Sequence, residues 1–93
     1  MNSISSQVSI YGLGGTDTSA VVRAFVQRLE GRDVAFEIGP MSTVVWGSEA
    51  EVWAALRQGY TAASELGAVV MNVTFSNACP LPTPEESGDG TDG

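Results

Sequence analysis

The order of hydrophobic periods constrains this chain more than any single motif. Residues 7–13 hold β-branched and aromatic side chains and run into Gly12, Gly14 and Gly15, the pattern of a strand ending in a loop. The period then changes. Val21, Val22, Phe25, Val26 and Leu29 recur at helical spacing between Thr18 and Arg32, with Asp17 or Thr18 available as N-cap and Gly31 as a stop. Val34 to Ile38 and Met41 to Trp46 are β-prone runs separated by Gly39-Pro40, which predicts a hairpin. Ser48-Glu49-Ala50-Glu51 has the S-x-x-E form of a capping box, and Val52, Trp53, Leu56, Tyr60, Ala63 and Leu66 follow on one broad stripe that stops at Gly67. From Ala68 to Ser76, Val69, Met71, Val73 and Phe75 alternate with Val70, Asn72, Thr74 and Ser76. The predicted order is βαββαβ.

Two right-handed crossovers built around one hairpin give a ferredoxin-like α+β sandwich, a four-stranded antiparallel sheet with both helices on one face and the first and third strands central. Such a small domain covers only one sheet face, so the other must be polar, occupied by a ligand or paired with another chain. Val8, Ile10, Val69, Met71, Val73 and Phe75 are expected under the helices, leaving Tyr11, Asn72, Thr74 and Ser76 outward with Val44 and Trp46. An aromatic, hydroxyl-rich open face suits an interface or a binding surface.

Composition narrows the chemistry. The 93 residues include four Arg and no Lys, eleven Asp plus Glu, no His and one Cys, for a formal net charge of −7. Without histidine there is no Ser-His-Asp or Cys-His pair and no imidazole shuttle, and a lone Cys79 makes no internal disulfide. Arg23, Arg28, Arg32 and Arg57 are scattered among more numerous acids, which argues against nucleic acid. No apolar stretch approaches the ~20 residues that span a bilayer, so no membrane association is expected. The N-terminal residues lack the charged and apolar regions of a secretory signal, and a free thiol fits a reducing interior, so a cytoplasmic protein is expected. After Pro80 the chain is rich in Pro, Gly and acids, and Glu85, Glu86, Asp89 and Asp92 carry four of the eleven acidic charges. Residues 1–80 are therefore expected to form the domain and residues 81–93 a disordered acidic tail.

Individual residues give weaker signals. The glycine run at 12–15 fits no phosphate-loop pattern and lacks a lysine, so tight turns explain it, although N–H groups ahead of a helix can hold an anion. Glu37 alternates with apolar neighbours and is either a solvated strand carboxylate or an acceptor for an amino-substituted, cationic heterocycle. Ser42 and Thr43 after the turn either meet a ligand at the sheet edge or satisfy the turn itself. Tyr11, Trp46 and Trp53 can stack on a planar ring or pack in core and interface. Cys79, with no basic neighbour, reads as a pocket-wall or packing residue rather than a nucleophile.

Together, Gly39-Pro40-Met41-Ser42-Thr43-Val44-Val45-Trp46-Gly47, the helix ending Glu65-Leu66-Gly67, the opening Val8-Ser9-Ile10-Tyr11 and the last run Val73-Thr74-Phe75-Ser76-Asn77-Ala78-Cys79-Pro80 resemble the single-domain members of the YkoF-like family of thiamine- and hydroxymethylpyrimidine-binding proteins. The resemblance spans about residues 7–80. It implies a ferredoxin-like fold and non-catalytic binding of the aminopyrimidine half of thiamine, with no separate cofactor or metal. Tyr11, Glu37, Ser42, Thr43, Ser76 and Cys79 match its motifs and are the implied ligand-binding residues. The family's namesake joins two such domains in one chain. This sequence shows one domain and no internal repeat, so a homodimer or homotetramer through sheet faces or edges is implied. The alternative is a ferredoxin-like interaction or regulatory module for another metabolite or a protein partner. An enzyme is the least supported class, because no motif places a second group beside any isolated carboxylate.

Overall fold

In the computed structural model, which describes residues 2–78, the order is β1 (Ser3–Gly12), α1 (Thr18–Glu30), β2 (Ala35–Ile38), β3 (Thr43–Ser48), α2 (Glu49–Ser64) and β4 (Val69–Ser76). The strands form one antiparallel sheet in the order β2-β3-β1-β4, with β1 and β3 central as the pattern predicts. Two strand starts differ from the sequence reading by more than one residue. β1 begins at Ser3 rather than Gln7, because Ile4 and Ser6 continue the inward alternation and the buried Ser6 hydroxyl donates to the Val45 carbonyl at 3.0 Å. Pairing with β3 from Ser3 and with β4 from Ser5 holds a serine-rich stretch of low strand propensity. β3 begins at Thr43 rather than Met41, because residues 39–42 are used in the turn that the Gly39 N–H closes onto the Ser42 carbonyl at 2.7 Å.

Both helices start where capping chemistry places them. The Asp17 carboxylate accepts the Ser19 N–H at 3.0 Å, and the Ser48 hydroxyl accepts the Glu51 N–H at 3.4 Å. The Glu51 carboxylate accepts from Arg32 Nη2 at 3.1 Å, tying the start of α2 to the segment after α1. The core between helices and sheet is built from Val8, Ile10 and Val45 of the strands and Val21, Phe25, Leu29, Val52, Ala55, Leu56 and Ala63 of the helices. The α2 stripe departs from expectation: Trp53, Tyr60 and Leu66 are 53%, 42% and 51% exposed, while Ala55 and Gly59 are buried. Small residues face α1 because the helices approach closely there. A Cβ on Gly59 would stand 2.5 Å from the Phe25 ring. Trp53 lies at the flank, stacked on Phe75 with ring centroids 4.3 Å apart.

The two sheet faces divide as the alternation predicts. Val69, Met71, Val73 and Phe75 pack against the core but remain half-buried, since β4 is an edge strand. Tyr11, Asn72 and Thr74 are exposed on the other face, with Val44, Trp46 and Ser76 half-buried. The tail and Cys79 lie outside the described residues.

Candidate functional site

A mismatch in strand length opens a cleft at one end of the sheet. The ladder between β1 and β3 stops at Val8 opposite Thr43, whereas that between β1 and β4 continues to Gly12 opposite Val69. Ser9 to Gly12 therefore have a strand on one side only. The Leu13 N–H donates to Ala68 on the β4 side and the Gly12 N–H to Thr18 Oγ1 at 3.1 Å on the other. Antiparallel alternation then directs the Ile10 N–H and C=O away from β4 into the gap, where β3 offers no strand partner. The first turns of α1, through Thr18 and Val22, and the β2–β3 turn, through Gly39 to Ser42, wall a cavity of about 280 Å³.

Val8, Ile10, Val22 and Ile38 make its apolar surface, and Ser9, Tyr11, Thr18, Ser42 and Thr43 supply hydroxyls. Thr18 Oγ1 accepts the Gly12 N–H, leaving its own proton to donate. Ser42 Oγ accepts from Gln7 Nε2 at 3.2 Å, and the Ser9 hydroxyl donates to the Met41 carbonyl at 3.4 Å. Met41, 88% exposed, and Ile38, 55% exposed, stand at the mouth with Tyr11. Among the described residues, no carboxylate or guanidinium lines the cleft. The Gly-rich loop beside it is structural: Gly14 has φ 61°, and a Cβ on Gly12 would stand 2.5 Å from the Thr16 carbonyl oxygen. Asp17 already supplies the negative charge at the start of α1, where the sequence left an anion site open.

The structure brings together three of the residues singled out by sequence. Tyr11, Ser42 and Thr43 line the cleft, with Thr43 buried. Glu37 sits on the open sheet face opposite Val44, beside the cleft but not in its wall. Ser76 pairs with Ser5 at the far end of β4, six positions from Val70, the partner of Tyr11, or roughly 20 Å at ~3.3 Å per residue. It borders a separate recess with Ile4, Glu49, Trp53, Phe75 and Asn77, and its hydroxyl accepts the Ala78 N–H at 3.0 Å. Sequence reasoning missed Thr18 and the free edge at Ile10. Thr18 was weighed only as a cap, and the edge depends on a register that no one segment contains. Among the described residues, no group of acids and Cys could hold a metal ion, and no helix is long and apolar enough to cross a membrane.

Fold and cleft together define a ferredoxin-like domain with a partly apolar, hydroxyl-lined cleft at one end of its sheet. A family model described as thiamine-binding protein matches residues 5–76, and the chain belongs to that family. Its fold is similar to that of a hypothetical protein from Methanocaldococcus jannascii at 22% identity and a TM-score of 0.80, covering 99% of this chain and 98% of that one. A protein from Streptococcus pneumoniae is similar at 19% identity and a TM-score of 0.73, over 98% of this chain and 99% of the other. A candidate thiamine biosynthesis/salvage protein from Thermotoga maritima is similar at 13% identity and a TM-score of 0.75, over 96% and 98% of the two chains. No curated protein gives a significant sequence match.

Proposed function

We propose that the protein binds thiamine or its hydroxymethylpyrimidine moiety without catalysis, as a cytoplasmic carrier or sensor. The free β1 edge carries this reading. An N–H and a C=O on one residue form the donor–acceptor pair that a planar aminopyrimidine complements with its ring nitrogen and amino group. Val8, Val22 and Ile38 cover the ring, and Ser42, Thr43 and Thr18 supply further hydrogen bonds. At about 280 Å³ the cavity sits just below the ~300–1,000 Å³ of sites that enclose drug-sized ligands, which suits one buried ring with the thiazolium projecting past Tyr11 and Met41. The family membership and the likeness to the Thermotoga protein support the same ligand class. A homodimer or homotetramer is part of the reading, because among the described residues no layer covers the sheet face bearing Val44, Trp46 and Tyr11.

Isothermal titration with thiamine and with hydroxymethylpyrimidine tests it. Saturable binding is expected. Ser42→Ala should weaken binding roughly two- to tenfold, the worth of one neutral hydrogen bond, while Glu37→Gln and Ser76→Ala leave it unchanged. Absence of saturation by either compound at millimolar concentration overturns the reading in favour of an interaction module.

A further inference from the structure

We propose that the outer groove between α1 and α2 is a second binding site, for a compact oxyanion such as a phosphate or carboxylate group. Arg28, Arg57, Gln58, Thr61 and Glu65 line a groove of about 330 Å³ there. Arg32 is engaged with Glu51, but neither the Arg28 nor the Arg57 guanidinium has a carboxylate within 4.0 Å or a hydrogen-bond partner among the described residues, the Thr61 hydroxyl donating instead to the Arg57 backbone carbonyl. The chain as a whole has eleven acids and four Arg. With acids in such excess, placing two unpaired guanidinium groups in one groove concentrates positive potential that an anion relieves.

Helix spacing accounts for the lining. Arg57, Thr61 and Glu65 recur every four residues along α2 and its C-cap, with Gln58 beside Arg57, and Arg28 contributes from the last turn of α1. Two planar forks with the Gln58 amide beside them match the several acceptor oxygens of a compact oxyanion. Glu65, in the same wall, opposes the anion and sets a limit on how strongly it binds. The groove lies in the helix layer, apart from the end cleft and independent of its ligand.

The test is a titration of the full chain with inorganic phosphate, glycerol phosphate and succinate at constant ionic strength, followed by amide chemical shifts. Saturable shifts centred on Arg28, Arg57, Gln58 and Thr61 are expected, and whether the phosphates or succinate saturate first identifies the source of the oxyanion. Arg28→Gln and Arg57→Gln should each weaken binding by roughly tenfold or more, as for hydrogen bonds to a charged group. Arg23→Gln, outside the groove, should change nothing. Glu65→Gln should tighten binding, a gain that a damaged fold cannot imitate. Shifts that stay linear with concentration, or that survive loss of either groove arginine, overturn the proposal.

Discussion

Gly59→Ala gives the sharpest test of how the helices pack, because two known effects oppose each other. In an isolated helix, alanine is favoured over glycine by about 0.8–1.0 kcal/mol. Here the added Cβ would stand 2.5 Å from Phe25 Cδ1 and 2.9 Å from Cε1. Carbon atoms prefer ~3.5–4.0 Å, so the overlap is about 1 Å. Phe25 has no exposed surface and packs within a cluster that includes Val8, Val21, Leu29 and Val52, so the ring cannot turn away and the helices must part. Overpacking of this kind costs typically ~1–3 kcal/mol, occasionally more, and with the atoms this close the upper part of that range applies. Subtracting the propensity gain leaves a net loss of about 1–2 kcal/mol, a fall in Tm of roughly 4–16 °C for a domain of this size. Thermal and urea denaturation followed by circular dichroism measure it. In a Phe25→Leu background the clash is gone, so the same substitution should become neutral or stabilising. A Gly59→Ala protein as stable as the wild type, or more so, refutes the close crossing.

Three further perturbations follow from single contacts. Ser48→Ala removes the acceptor of the Glu51 N–H and should lower stability by about 0.5–1 kcal/mol, the smaller part of the N-cap range because the bond is long at 3.4 Å, measured as a lower urea midpoint at unchanged m. Trp53→Ala removes a stacked pair of rings and should cost about 0.5–1.5 kcal/mol beyond lost area, so a Phe75→Leu background should reduce its effect in a double-mutant cycle. Arg32→Gln should cost no more than ~1 kcal/mol, since the side chains of the ion pair are 26% and 34% exposed, and the difference from wild type should shrink in high salt.

Local pattern made most of the fold legible. The switch between alternation and helical spacing marks every element, and Gly39-Pro40 and Ser48-x-x-Glu51 mark the turn and cap that form. The start of β1 was hidden because Ser3, Ser5 and Ser6 carry no apolar period; the β3 ladder holds all three extended, and β4 adds pairing at Ser5 and Ser6. The site was legible only in part. Ser42 and Thr43 are adjacent in sequence and follow a turn, so their placement at one end of the sheet was readable. Ser76 was grouped with Tyr11 by family motif, yet in an antiparallel pair the end of one strand meets the beginning of the other. Tyr11 accordingly faces Val70, and Ser76 faces Ser5.

The same geometry fixes what recognition at the two sites must use. The end cleft exists because the turn at residues 39–42 shortens β3 while β1 runs on to Gly12, so its polar surface is strand backbone and hydroxyl groups without formal charge. Neutral hydrogen bonds depend on alignment and on exclusion of water, and on the proposed reading selectivity would rest on which atoms of a flat ring meet the Ile10 edge. The helix groove presents charge on flexible, exposed arms, which favours any oxyanion of suitable size and loses strength as salt rises. On the proposed reading, the cleft is therefore where this fold would distinguish one heterocycle from another, and the proposed groove would respond to charge with little regard for the rest of the molecule that carries it.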